Sequence, residues 1–162
     1  MTVTYIAGDA TDPQVDGDKI ILHSCNNIGA WGSGFVMALS RKWPEPELMY
    51  RHWAESFSIS KGNTLPLGCV QLVQVEKDIY VANMIGQHGL ISANNRRPAS
   101  PTAFRIGMFE LAEILGQGQF ENPSIHMPRI GCGLGGLTWD EVEPIIELLP
   151  MGGYPAYVYD LE

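Results

Sequence analysis

Apolar and β-branched residues are concentrated in six short runs along the chain, each bounded by glycine, proline or polar residues. Such runs predict β-strands, because branched and aromatic side chains pack well on a pleated sheet. The six predicted strands cover residues 2–6, 19–23, 68–75, 79–85, 124–127 and 156–159.

The clearest helical pattern covers residues 100–115. Ser100 suits the N-cap position, Pro101 suits the first helical position, and Gly116 marks the end. The apolar side chains that would share one face of this helix are Phe104, Met108, Leu111 and Leu115. The segment is therefore predicted to pack on the sheet through that face.

Two further helices are predicted between the second and third strands. One begins near Gly34 and runs toward Trp43, where Pro44 ends it. The other covers residues 45–57.

A helix near the C-terminus follows Thr138, whose spacing from Glu141 matches a capping box. Pro144 lies in the apolar segment that follows, which indicates either a kink or a later start of the helix. Because strands alternate with helices, the sequence predicts an α/β fold with a mixed or mostly parallel sheet and helices on both faces. A chain of 162 residues fits one domain, residues 1–162.

Composition narrows the class of protein. Hydrophobic residues make up 45% of the chain and charged residues 17%, which provides a core and excludes general disorder. Neither a membrane-spanning run nor a basic segment ahead of an apolar one is visible, so a cytoplasmic protein without membrane contact is expected. Cys25, Cys69 and Cys132 lack metal-ligand spacing and are odd in number, so no metal site and no disulfide framework is expected.

The net charge of −8 arises in the last third of the chain. Residues 1–109 carry nine acidic and nine basic side chains, whereas residues 110–162 carry nine acidic side chains and only Arg129. Duplex nucleic acid is therefore disfavoured as a partner, because its phosphates are neutralised by Lys and Arg. A phosphate-bearing ligand would have to be held mostly by backbone N–H groups.

The first glycine-rich loop, residues 25–34, follows the second predicted strand and leads into a helix. Its glycines let the backbone approach a ligand, and the helix start offers N–H groups to an anion. Asn26 and Asn27 have short side chains suited to hydroxyl groups. An ordinary glycine-rich turn is the alternative for this loop taken alone.

The second glycine-rich loop, residues 128–136, follows the fifth predicted strand. Gly131, Gly133 and Gly136 match the G-x-G-x-x-G pattern of dinucleotide folds, and Asp160 lies at the end of the next strand. That pattern normally opens a fold and is followed by several strands, whereas one strand remains here. The loop is therefore interpreted as a nest of N–H donors for a diphosphate.

Three segments in this order resemble the macrodomain family of ADP-ribose binders. They are Gly8-Asp9-Ala10-Thr11, the first loop up to Gly34, and the second loop from Ile130. The residues around Asn26 and Gly131 are most similar to the branch of yeast-type ADP-ribose 1″-phosphate phosphatases and of deacylases that remove ADP-ribose from glutamate. The resemblance implies a three-layer α/β/α macrodomain with a mixed sheet of about six strands.

The resemblance also implies roles for individual residues. Asp9 would accept from the adenine amino group, the backbone of Ala10 would lie near the ring, and Tyr159 would stack on it. Asn26, Asn27, Gly29, Ala30, Trp31, Gly32, Ser33 and Gly34 would surround the distal ribose, and Ile130, Gly131, Cys132, Gly133, Leu134, Gly135 and Gly136 would hold the diphosphate. The alternatives are that Asp9 only caps a turn and that Tyr159 packs in the core.

One departure from the family concerns the deacylase mechanism. That branch carries a lysine nucleophile and an aspartate where this chain has Gln87 and Gly135. The covalent mechanism therefore lacks its reacting groups.

His88 and Asn27 are the catalytic candidates. His88 follows a strand and belongs to the residue type that titrates near neutral pH, and Asn27 would orient a hydroxyl or a water. A solvated loop histidine is the alternative for His88. His23 is interpreted as a core residue, and Cys25 and Cys132 are expected beside the cleft.

The predicted function is binding of ADP-ribose, with hydrolysis of ADP-ribose 1″-phosphate to ADP-ribose and phosphate, without metal or cofactor. Three alternatives stay open: a reader of ADP-ribose on macromolecules, a hydrolase that removes ADP-ribose from protein or nucleic acid, and a binder of nicotinamide dinucleotide.

Overall fold

The computed structural model describes residues 2–161. It contains six strands: β1 (Thr4–Ala7), β2 (Lys19–Asn26), β3 (Val70–Glu76), β4 (Ile79–Gln87), β5 (Ser124–Met127) and β6 (Ala156–Asp160). All six predicted strands are confirmed, although β2 extends three residues and β4 two residues beyond the expected ends. Strands β2 and β4 pair with each other from end to end, including the added residues, and this pairing places polar residues in the sheet.

The strands form one sheet in the order β1-β6-β5-β2-β4-β3. Only the edge strand β3 is antiparallel to its neighbour, and the pairs β1/β6, β5/β6, β2/β5 and β2/β4 are all parallel. The carboxyl ends of five strands therefore lie along one edge of the sheet, where open α/β sheets place their ligands.

Five helices accompany the sheet: α1 (Phe35–Lys42), α2 (Glu45–Lys61), α3 (Pro101–Leu115), α4 (Trp139–Ile146) and α5 (Leu148–Met151). The predicted cap of α3 is confirmed, because the Ser100 side chain accepts a hydrogen bond from the N–H of Ala103. Helix α4 begins directly after its N-cap Thr138, which forms the predicted capping box with Glu141, and continues through Pro144, so the later start is wrong.

The helices cover both faces of the sheet. Leu39 of α1 and Tyr50 of α2 pack with Ile21 and Ile85 in one buried cluster. Helices α3, α4 and α5 pack on the opposite face in the other cluster, around Phe104. The three-layer α/β/α architecture with a mixed six-stranded sheet is confirmed.

The segment 92–100 is exposed only in its first part. Pro98 and Ala99 are buried, and Ala99 pairs with Gln87 at the end of β4. This bridge joins the loop to the carboxyl edge of the sheet. Within residues 2–161, no helix is long and apolar enough to cross a membrane.

Candidate functional site

A cavity of about 800 Å³ opens at the carboxyl edge of the sheet, above β2, β4 and β5. The structure brings the two predicted glycine loops together as its walls. The residues predicted from sequence that line it are Asn26, Ala30, Trp31, Gly32, Ser33, Gly34, Ile130, Gly131, Cys132, Gly133, Leu134 and Gly135. Cavity and loops together are called the cleft below.

The side chain of Asn26 holds the first loop in shape. Its Oδ1 accepts hydrogen bonds from the N–H groups of Ile28 and Ala30, at 3.0 and 3.1 Å, and its Nδ2 donates to the Ala30 carbonyl at 2.7 Å. The buried Tyr50 hydroxyl lies 2.8 Å from the same Oδ1 and accepts from the N–H of Gly29. Asn26 was expected to meet ligand hydroxyls, but its side-chain oxygen is already occupied by the loop.

Arg51 of α2 supports the same loop from outside. It donates to the carbonyls of Gly29 and Trp31, at 3.0 and 2.9 Å, and pairs with Glu47 one turn earlier. The Trp31 ring is buried and donates from Nε1 to Ser40 at 2.8 Å. The loop is therefore fixed by its carbonyls and side chains, not by the N–H groups that follow Trp31.

Five consecutive backbone N–H groups after Trp31 have no hydrogen-bond partner among residues 2–161. They belong to Gly32, Ser33, Gly34, Phe35 and Val36. All five residues line the cleft. Gly34 occupies the N-cap of α1 and supplies no capping side chain, so the positive end of this helix is left to solvent or a ligand.

The second loop repeats this arrangement. The N–H groups of Gly131, Gly133, Leu134 and Gly135 have no hydrogen-bond partner within the described chain. Gly133 has a φ of +74°, and a Cβ at this position would have no atom within 4 Å. A Cβ at Gly131, in contrast, would lie 2.7 Å from the Phe104 ring, so Gly131 is required by packing and Gly133 faces open space.

Asn27 and His88, the predicted catalytic pair, contact each other, but neither residue lines the cleft. Asn27 Nδ2 lies 3.1 Å from His88 Nδ1, and Asn27 Oδ1 accepts from the N–H of Gly89 at 2.9 Å. Asn27 is buried and joins the first loop to the segment after β4, whereas His88 is exposed. Gln87 and Leu90 from the same segment do line the cleft.

Asp9 and Tyr159 line a second, smaller cavity of about 300 Å³ at the ends of β1 and β6, which also includes Gly8. Asp9 Oδ1 accepts from the N–H and the hydroxyl of Thr11, both at 2.8 Å, so the expected turn cap is present. Partial burial opposes ionisation of Asp9, but these bonds prevail and lower its pKa. No described residue bonds to Oδ2. Ala10 is buried beneath this turn.

Both arginines that line the cleft are already paired. Arg51 is bonded to Glu47, and Arg129 donates to both carboxylate oxygens of Asp160. Arg97, on the loop that follows β4, is paired with Glu141 of α4. Charge on a ligand in the cleft would therefore meet chiefly neutral backbone donors.

The sequence did not indicate that the end of β2 forms the floor of the cleft. His23 lines it although it is buried, and its Nε2 lies 2.5 Å from Asn83 Oδ1. Burial lowers the pKa of His23 to about 4 and raises the pKa of Cys25 above its ordinary value. Burial also raises the pKa of Cys132, so the floor holds a neutral imidazole and protonated thiols at neutral pH.

Gln87 and Gly135 are neighbours in the cleft wall. They stand at the two positions where the deacylase branch carries reacting side chains. A Cβ at Gly135 would lie 3.9 Å from Gln87 Oε1. Neither residue is ionisable. Among residues 2–161, no group of three His, Cys, Asp or Glu side chains is arranged to hold a metal ion.

Comparison with known proteins identifies close relatives. No protein-family model matches the chain. A structure of a Bacteroides thetaiotaomicron protein of unknown function is 46% identical, with a TM-score of 0.88 and 99% of each chain covered. An ADP-ribose 1″-phosphate phosphatase of Lodderomyces elongisporus is 29% identical over 99% of this chain and 100% of its own length.

A macrodomain protein from Streptomyces coelicolor is 43% identical, with a TM-score of 0.81 and 98% of each chain covered. Its sheet and helices therefore superpose on nearly the whole of this chain. The chain belongs to the macrodomain family.

Proposed function

We propose that this chain binds ADP-ribose along the carboxyl edge of the sheet. The observation that carries the proposal is a set of nine backbone N–H groups, five from Gly32 to Val36 and four in the second loop, that lack partners within the described chain and belong to one cleft. Gly32, Ser33, Gly34, Gly133 and Leu134 are exposed, so their N–H groups are open to a ligand that accepts hydrogen bonds. Diphosphate oxygens are such acceptors and require no basic side chain.

The positions of the two cavities support an elongated ligand. The smaller cavity lies at β1 and β6, and the cleft begins beyond β5. From β1 to β2 there are three interstrand steps, about 14 Å at 4.7–4.9 Å each. In this proposal adenine occupies the smaller cavity beside Asp9, and the diphosphate and distal ribose extend into the cleft.

We further propose that the site hydrolyses ADP-ribose 1″-phosphate. Water would attack phosphorus and the bond from phosphorus to the 1″ oxygen would break, leaving ADP-ribose and inorganic phosphate. The full-length similarity to a relative named as this phosphatase supports the proposal. The five N–H groups of residues 32–36 would stabilise the negative charge of the transferred group, and His88, held by Asn27, would handle the proton.

A reader of ADP-ribose without turnover is the second candidate. The cleft side chains favour a reader, because the thiols of Cys25 and Cys132 are protonated and His23 is neutral. These three groups therefore do not supply a charged nucleophile or acid. Gly135 and Gln87 also leave the covalent deacylase mechanism without reacting groups.

Calorimetry with ADP-ribose, ADP-ribose 1″-phosphate, AMP and nicotinamide dinucleotide tests the binding proposal. ADP-ribose and its 1″-phosphate should bind more tightly than AMP, and the dinucleotide should bind less well. Gly32→Val is the matched variant, because a Cβ at Gly32 would meet no atom within 4 Å and should leave folding unchanged. Unaltered ADP-ribose affinity in this variant would refute the cleft as the site.

Release of inorganic phosphate from ADP-ribose 1″-phosphate separates the phosphatase from the reader. The wild-type protein should release phosphate, and His88→Gln should lower kcat by about 100-fold if the imidazole transfers a proton. Binding without any release would establish the reader. Full activity in His88→Gln would remove that residue from the mechanism.

A further inference from the structure

His126, in the middle of β5, connects the interior of the sheet to the wall of the smaller cavity. Its Nδ1 lies 2.6 Å from the Tyr159 hydroxyl, and its Nε2 lies 2.8 Å from Ser124 Oγ. The imidazole has no exposed surface, and its ring stacks on Tyr157 with centroids 4.9 Å apart and an angle of 5° between the planes. Both nitrogens and one ring face are therefore engaged.

The Tyr159 ring is part of the cavity wall. It is 7% exposed, lines the cavity with Gly8 and Asp9, and its Cδ2 lies 3.9 Å from the place of a Cβ on Gly8. Within the described residues, His126 is the only hydrogen-bond partner of the buried Tyr159 hydroxyl. That bond therefore restrains the ring, because rotation would leave a buried hydroxyl unsatisfied.

We infer that His126 is a positioning residue for the nucleobase. Through Tyr159 it fixes the ring against which the adenine of the ligand packs. The inference rests on the proposed binding of ADP-ribose. Ordering the ring before binding removes an entropic cost that the ligand would otherwise meet.

The chemistry of the imidazole fits this role. Burial lowers the pKa of His126 to about 4, and the Lys19 ammonium acts in the same direction. The ring is therefore neutral at pH 7, with one nitrogen that donates and one that accepts. In either tautomer, the imidazole therefore donates a hydrogen bond to one of the two hydroxyls, Ser124 or Tyr159, and accepts one from the other.

Two matched substitutions test the inference. In His126→Asn the amide can take the place of Nδ1 and keep the bond to Tyr159, whereas in His126→Gln it can take the place of Nε2 and keep the bond to Ser124. Both lose the stacked ring. His126→Gln should weaken binding of ADP-ribose and of AMP about tenfold, and His126→Asn should weaken it by less than threefold.

Thermal unfolding of both variants is measured alongside, because a purely structural role predicts affinities that follow stability. Equal affinities in the two variants, or affinities ranked as their unfolding temperatures, would overturn the inference. A wild-type protein that binds no ADP-ribose would instead refute the proposed function.

Tyr159→Phe keeps the test valid if the His126 variants do not fold. It retains the ring and removes only the hydroxyl, so ADP-ribose and AMP should bind several-fold more weakly, while the stabilisation of the protein by inorganic pyrophosphate in a thermal shift should be unchanged. Wild-type affinity for AMP in Tyr159→Phe would overturn the inference.

Discussion

Arg129 and Asp160 form a two-point ion pair between the second glycine loop and the end of β6. Nε lies 2.6 Å from Oδ1 and Nη2 lies 2.9 Å from Oδ2. The guanidinium also lies over the rings of Tyr5 and Trp139, at 5.3 and 5.2 Å from their centroids. Arg129 lines the cleft, and the Asp160 carbonyl accepts from the N–H of Gly8 in the smaller cavity, so this pair lies between the two proposed subsites.

Asp160→Asn should weaken ADP-ribose binding by roughly three- to fivefold, the effect of an exposed ion pair. The amide cannot hold the guanidinium at both points, so the start of the loop loses an anchor. Asp78→Asn is the matched control, because Asp78 pairs with Lys19 at the amino end of β2, away from the cleft. Calorimetry that finds equal affinity in both variants would show that the anchor is dispensable.

Gly133→Val should abolish ADP-ribose binding while the protein stays folded. The added side chain would meet no protein atom but would fill the space in front of the unpartnered N–H groups. Gly118→Val is the matched control, since Gly118 has a φ of +79°, equally open surroundings, and a place outside the cleft. The two variants should lose similar stability in urea unfolding, and a normal dissociation constant for Gly133→Val would refute the diphosphate cradle.

Asp9→Ala should weaken ADP-ribose binding by about 1–3 kcal/mol, the value of a charge-assisted hydrogen bond. This substitution also removes the cap on Thr11. Asp9→Asn separates the two effects, because its Oδ1 keeps the cap while an amide nitrogen, which donates and cannot accept from an amino group, replaces Oδ2. If isothermal calorimetry gives Asp9→Asn the affinity of the wild type, Asp9 is a turn residue only.

Stability should fall as the pH drops from 7 to 5. Burial lowers the pKa values of His23 and His126 from 6.5 to about 4. The unfolded chain therefore takes up protons below pH 6.5, whereas the folded protein resists them until about pH 4. Each histidine contributes stability above pH 6.5 that is lost as the pH approaches 4, about 2 kcal/mol of it between pH 7 and 5.

Urea unfolding at several pH values measures this loss. His126→Asn should remove about half of the pH dependence over this interval. His52→Gln should leave it unchanged, because His52 is exposed on α2. A pH-independent free energy of unfolding in the wild type would contradict the burial of both imidazoles as neutral groups.

Local interactions made much of the fold predictable. Ser100 and Pro101 start α3, and Thr138 with Glu141 starts α4, because capping groups act on N–H groups within the next turn. Strand β5 has the predicted ends, since its apolar run is bounded on both sides by turn residues. The two glycine loops were also visible from spacing alone.

The sequence by itself therefore determined the elements, their class and the two loops that could hold an anion. Only the tertiary structure decided which polar side chains face the cleft. Asn26 and Asn27 resemble ligand contacts in sequence, yet Tyr50 and His88, 24 and 61 residues further along the chain, occupy their hydrogen-bonding groups. A hydrogen bond depends on where its partner lies in space, and partners brought together by sheet order leave no periodic trace in the sequence.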